Sequence, residues 1–138
     1  MSDKDDLIES AGRLATANFE ATHGRVPDAF KLLQQHAPAA FAGYGLIRQD
    51  VMRDTADGGA LDLRTKELIF AVLDVMSGAV TGAKAHAGNA LRLGLTVEQL
   101  AEALVQCIMA GGITTWNLAG KDVLLHAIAL SATRTTDG

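Results

Sequence analysis

Two side chains in this sequence stand where titratable groups are costly. Glu67 and His86 lie on apolar, helix-patterned segments between Leu61 and Leu95, joined by Ser77–Gly78. An acid and an imidazole so placed can work as a pair. Imidazole gains and loses protons near neutrality, and a carboxylate that accepts its other ring proton fixes its tautomer. Each residue also has a plainer reading. His86 can be a core histidine bonded to a backbone carbonyl, and Glu67 a solvated acid favoured at a helix N-terminus. Ala83, Ala85, Ala87 and Ala90 are small and leave room for a ligand beside the His86 ring. The turn from Ser77 to Gly82 contains no cysteine.

A small anionic substrate would also need a cation. Arg48, Arg53 and Arg64 are candidate carboxylate anchors, or else surface charge. Lys84 precedes His86 by two residues, about 200° round a helix. It reads as an anchor offered by a neighbouring subunit or as a surface lysine. Trp116 follows Gly111-Gly112 and can wall a pocket, pack at a subunit contact or fill the core. Cys107, among Val105, Ile108 and Met109, reads as a buried, inert thiol. His23, His36 and His126 have no ligand-like spacing. No metal-ligand spacing, phosphate loop or cofactor lysine is present, so the expectation is a protein that uses no metal or organic cofactor.

The 138 residues suffice for a single domain, residues 1–138. With 49% hydrophobic residues and 4% aromatics, the core must be built from Leu, Ala, Ile, Val and Met. That mix favours helices over strands. So much apolar surface on a small chain predicts a homo-oligomer whose interface covers the excess. The net charge is −4 with the signs interspersed. No basic stripe exists, which argues against nucleic acid as a partner. The lone cysteine excludes an intrachain disulfide and fits a reducing cytoplasm. The acidic, polar start, Ser2-Asp3-Lys4-Asp5-Asp6, is unlike a signal peptide. The longest charge-free run, Ala103–Gly120, carries Gln106, Thr114, Thr115, Asn117 and three glycines. It reads as buried helix and turn rather than a membrane span.

The elements that would position these residues are helical. Apolar spacing predicts a helix over 4–22, ended by Gly24. Pro27 begins a second helix, to about His36, and Pro38 a third. Residues 54–59 form a loop. Asp62 caps the Glu67 helix, which is so apolar from Leu68 to Met76 that it must be covered on most of its circumference. Gly78 breaks it. The His86 helix follows from about Val80 to Leu93, closed by Gly94. Thr96 and Gln99 form a capping box for a helix to about Ala110. A last helix runs over about 113–132. The fold class is all-α, with six or seven helices.

Three stretches carry a resemblance: Arg64-Thr65-Lys66-Glu67-Leu68-Ile69, His86-Ala87-Gly88-Asn89-Ala90-Leu91, and the run from Gly94 to Leu104. In order and spacing they resemble the carboxymuconolactone decarboxylase family, which includes the AhpD-type alkylhydroperoxidases. The resemblance covers about half the chain, roughly 61–129, and implies an AhpD-like helical fold and a trimer or hexamer. In the peroxidase branch a glutamate, a Cys-x-x-Cys pair and a histidine form the redox centre. The glutamate falls on Glu67, the histidine on His86 and the cysteine positions on Ala79 and Gly82. Thiol peroxidation needs a thiolate and a resolving thiol. Ala79 and Gly82 supply neither, so an antioxidant activity is disfavoured. The decarboxylase branch needs no such cysteines. The resemblance therefore implies a cofactor-free carboxy-lyase acting on a small carboxylated lactone or a related intermediate of aromatic-compound degradation. His86 would move the proton and Glu67 would orient it. A non-enzymatic small-molecule-binding scaffold is the third possibility.

Overall fold

Ser2 opens the first helix by a reciprocal cap: its hydroxyl accepts from the Asp5 backbone N–H, and the Asp5 carboxylate accepts from Ser2. This helix, α1, spans Asp3–His23 and stops at Gly24 in the left-handed conformation. α2 spans Asp28–His36 and α3 spans Pro38–Val51. Pro27 is the residue that caps α2 rather than its first helical residue, whereas Pro38 does sit in the first turn of α3. The computed structural model describes residues 2–136, which form seven α-helices and no strand among the described residues.

The chain divides into two compact units, Met1–Gly59 and Ala60–Gly138. In the first, α1 and α3 pack around Ala15, Phe19, Val26 and Phe41, with the Phe30 ring tilted against Phe19 at 4.6 Å between centres. The two helices meet at Gly45. A Cβ there would stand 2.1 Å from the Ala15 Cβ, so only glycine permits this crossing. A short 3-10 turn, Thr55–Asp57, follows.

The second unit holds the remaining helices. α4, Leu63–Met76, is capped by Asp62, whose carboxylate accepts from the Thr65 N–H at 2.7 Å. α5, Val80–Arg92, ends in a reverse turn where Gly94 N–H donates to the Leu91 carbonyl and Leu95 N–H to Ala90. α6, Val97–Gly111, starts with the Thr96/Gln99 capping box read from the sequence. α7 spans Lys121–Thr136. The core is mostly small: Ala71, Ala83, Ala87, Ala90, Ala119 and Ala127 pack with Val75, Leu100, Leu104 and Val123. Alanine faces let helix backbones come close, so α4 and α5 lie side by side with their facing side chains in contact.

Two further expectations change. The last helix does not run unbroken from residue 113. A π-helical turn, Trp116–Gly120, precedes α7 and lays the Trp116 ring over Gly120, where a Cβ would be 3.2 Å from Cε3. Nor is α4 covered on most of its circumference within the chain. Ile69, Leu73 and Met76 are exposed, and Met109 on α6 is 82% exposed. No helix among the described residues is long and apolar enough to cross a membrane.

Candidate active site

Glu67, Phe70 and Asp74 recur at helical spacing on one face of α4. Gly82, His86 and Asn89 do the same on α5. The turn through Ser77–Ala79 folds α5 back on α4, and the two stripes meet.

At the centre, His86 Nδ1 lies 2.6 Å from Glu67 Oε2. The carboxylate has no proton to give, so Nδ1–H donates and Nε2 is the nitrogen turned away from Glu67. Phe70 stacks on the imidazole, with ring centres 4.6 Å apart and planes 15° apart. Glu67 is 3% exposed. A carboxylate so buried needs partners for both oxygens. The second oxygen, Oε1, accepts from Asn89 Nδ2 at 3.4 Å. Arg92 donates to Asn89 Oδ1, which fixes the Asn89 amide so that its NH₂ faces Glu67.

On the far side of the ring, Asp74 Oδ2 stands 4.0 Å from His86 Nε2. Burial pushes the Asp74 carboxyl above the ordinary aspartate range, an effect that His86 partly opposes. Gly82 makes room for this carboxyl: a Cβ at residue 82 would stand 2.5 Å from Asp74 Oδ2. The imidazole is thus bracketed by two carboxyl groups, one in hydrogen-bonding contact with Nδ1 and one facing Nε2. The site can hold a proton on His86 and exchange it at Nε2. Among the described residues no group of three or more His, Cys, Asp or Glu side chains is arranged to hold a metal ion.

The matching region extends well beyond the motifs that suggested it. Residues 38–124 match the carboxymuconolactone decarboxylase family. The chain belongs to this family. The match begins upstream of residue 61 and so takes in α3, which the motifs alone had not reached. An uncharacterized protein of Cupriavidus necator is 39% identical over 83 residues, 60% of this chain and 70% of that protein. A crystal structure at 1.65 Å of a candidate carboxymuconolactone decarboxylase from Burkholderia xenovorans LB400 is 27% identical. It superposes with a TM-score of 0.86 over 95% of this chain and 98% of that one. The carboxymuconolactone decarboxylase fold is therefore the fold of this chain.

The remaining residues singled out from sequence lie elsewhere. Arg48 belongs to the first unit and is not surface charge: it is 4% exposed. Its guanidinium donates to Asn18, to Thr22 Oγ1 at 3.1 Å and to His23 Nε2 at 2.9 Å, and lies 4.8 Å over the Phe19 ring. Arg53, also in the first unit, donates to the carbonyls of Asp50 and Asp57. Arg64 lines a cavity of about 360 Å³ with Gln99, Glu102 and Gln106. Lys84 is half-buried on α5. Trp116 is partly buried against the core of the second unit. Cys107 is buried, its Sγ 3.8 Å from the Val72 carbonyl, and burial pushes its thiol pKa up. Such a thiol is a poor nucleophile.

Sequence reasoning missed Asp74, Gly82, Asn89 and Arg92. Asp74 follows Glu67 by two helical turns and Asn89 follows His86 by one, so both signals were present as spacing. Arg92 also lines a cavity of about 440 Å³ with Arg134, Thr133, Gly88, Leu91 and Leu130.

Proposed function

We propose that this protein is a cofactor-free carboxy-lyase acting on a small carboxylated lactone, with His86 as the proton donor to carbon. The observation that carries the reading is the 2.6 Å contact between Glu67 Oε2 and His86 Nδ1. A buried anion on Nδ1 stabilises the imidazolium and aims its Nε2–H, the arrangement required of a general acid.

In the reaction, the substrate C–C bond to the carboxylate breaks and CO₂ leaves. The electron pair left on carbon is delocalised into the conjugated lactone carbonyl. Nε2–H then delivers its proton to that carbon, leaving neutral His86 with Nδ1–H still donated to Glu67. Membership of the carboxymuconolactone decarboxylase family supports this class of substrate. Arg92 donates to Asn89, which donates to Glu67, and so braces the Glu67–His86 pair from the side away from Nε2. The protein acts as a homo-oligomer in this reading, because the exposed apolar side chains of α4 and α6 need a cover.

The test is release of CO₂ from carboxymuconolactone and a panel of related carboxylated lactones. The reading predicts saturable release. No release from any of them, with the protein folded, would remove it. Peroxide consumption with a dithiol reductant serves as the comparison, and none above background is expected.

A further inference from the structure

We propose that Asp74 is the acid that returns a proton to His86 Nε2 after each turnover, and that residue 82 is glycine to make room for the Asp74 carboxyl. The proposal deepens the reading of His86 as proton donor and rests on it.

The argument begins with supply. Decarboxylation consumes one proton per turnover, since R–CO₂⁻ plus H⁺ gives R–H plus CO₂. His86 gives that proton from Nε2 and must recover one. Glu67 cannot provide it: its carboxylate already accepts from Nδ1 and from Asn89, and its side chain is only 4% exposed. Nε2 faces Asp74 instead, at 4.0 Å. Exposure rises along the chain of groups, from 4% for the Glu67 side chain to 14% for His86 and 27% for Asp74. Asp74 is therefore the member of the three with the most access to water. In the return step the Asp74 O–H bond breaks and the Nε2–H bond forms. Asp74 is left as carboxylate and takes a proton from solvent. The transfer requires the carboxyl to approach Nε2 by about 1 Å to reach hydrogen-bonding distance.

Gly82 supplies the second, independent observation. On α5, alanine or most other residues with a side chain would be intrinsically better helix formers than glycine. Yet a Cβ at this position would lie 2.5 Å from Asp74 Oδ2 and 3.3 Å from its Cγ. The nearest atoms it would meet all belong to Asp74. The glycine thus serves the placement of one carboxyl group beside the imidazole.

Other charged groups stand near these three. Glu67 faces His86 from α4 on the Nδ1 side, and Arg92 reaches Glu67 only through Asn89. From α7, His126 approaches α5 at Gly88, where its Nε2 would be 4.0 Å from a Cβ. Asp74 Oδ2 faces Nε2.

The experiment is a carboxyl ¹³C NMR titration of Asp74 in the whole protein, with the resonance assigned by D74N, in the parent, H86Q and G82A. The parent midpoint should lie above the ordinary value of 3.8. H86Q should raise it further, because the opposing imidazole charge is gone. G82A should shift it back toward the ordinary value by displacing the carboxyl, with no loss of helicity. One unchanged midpoint in all three would overturn the proposal while leaving His86 and Glu67 as a donor pair. The kinetic arm is D74A: turnover on the carboxylated lactone should fall at least tenfold and be restored by added formic acid, which can protonate Nε2 and leave as formate. Failure of formic acid to restore it would also overturn the proposal. Absence of CO₂ release by the parent itself, with the NMR coupling intact, would instead overturn the assigned reaction.

Discussion

Glu67 Oε2 and His86 Nδ1 lie 2.6 Å apart, brought together by a turn, Ser77–Ala79, whose single polar side chain is Ser77. The contact fixes which imidazole nitrogen carries chemistry. With Nδ1–H held by Glu67, only Nε2 remains to exchange a proton with another group.

Glu67→Gln should therefore keep the fold and lose much of the rate. The amide can still accept from Nδ1–H but no longer supplies the negative charge that favours imidazolium. A fall in kcat of about ten- to a hundredfold, with KM little changed, is expected from steady-state kinetics on the carboxylated lactone. A variant with full kcat would show that the carboxylate is structural.

Asp74 should reduce stability at neutral pH. Its folded-state pKa is raised by burial. A raised value means that the folded state holds the proton more tightly than the unfolded chain, so the favourable contribution is complete below the unfolded value, 3.8, and is lost as pH rises through the folded one. Asp74→Asn removes the ionisation. Its melting temperature should exceed that of the parent at pH 7, and the gap should close as pH falls below the ordinary aspartate range. A less stable D74N at pH 7 would contradict this.

Much of this architecture was legible in the sequence because its signals are local. Asp62 and Thr96 cap helices, Gly24 and Gly94 end them, and the order of motifs from Arg64 to Leu104 placed Glu67 and His86 on adjacent helices. What was less legible depends on contacts between elements. The π turn at Trp116 is set by how its ring meets Gly120. Arg48 resembles a surface cation until Asn18, Thr22 and His23 are seen around it. Asp74 is the single polar residue in the apolar run from Leu68 to Met76, and nothing local gives it a partner. Its partner Gly82, identified from sequence only as a missing cysteine, acquires meaning once α5 is laid against α4.

Arg92→Ala tests the support of the pair. The guanidinium donates to Asn89, whose amide in turn donates to Glu67. Without it the Asn89 amide loses the partner that fixes its orientation, and Glu67 is held less firmly against Nδ1. A fall in kcat of roughly three- to tenfold, with KM little changed, is expected from steady-state kinetics. An unchanged kcat would show that Arg92 plays no part in positioning the pair.

Leu73→Glu tests the assembly. Leu73 is 55% exposed and lines an apolar groove of about 380 Å³ between α4 and α6, with Ile69, Val72, Met76 and Ala110. If a second copy of this chain covers that face, a buried, unpaired carboxylate there is prohibitive. Light scattering after size exclusion should then show a smaller species than the parent. The same mass for both, at equal concentration, would place the interface elsewhere.

The central claim is that His86 gives a proton to the carbon that loses CO₂. Its most direct measurement is turnover of carboxymuconolactone in D₂O by the parent and by His86→Gln. The account predicts CO₂ release by the parent with one deuterium placed on the product carbon, and a rate at least about a hundredfold lower in the variant at unchanged helicity. Equal rates in the two proteins would contradict it.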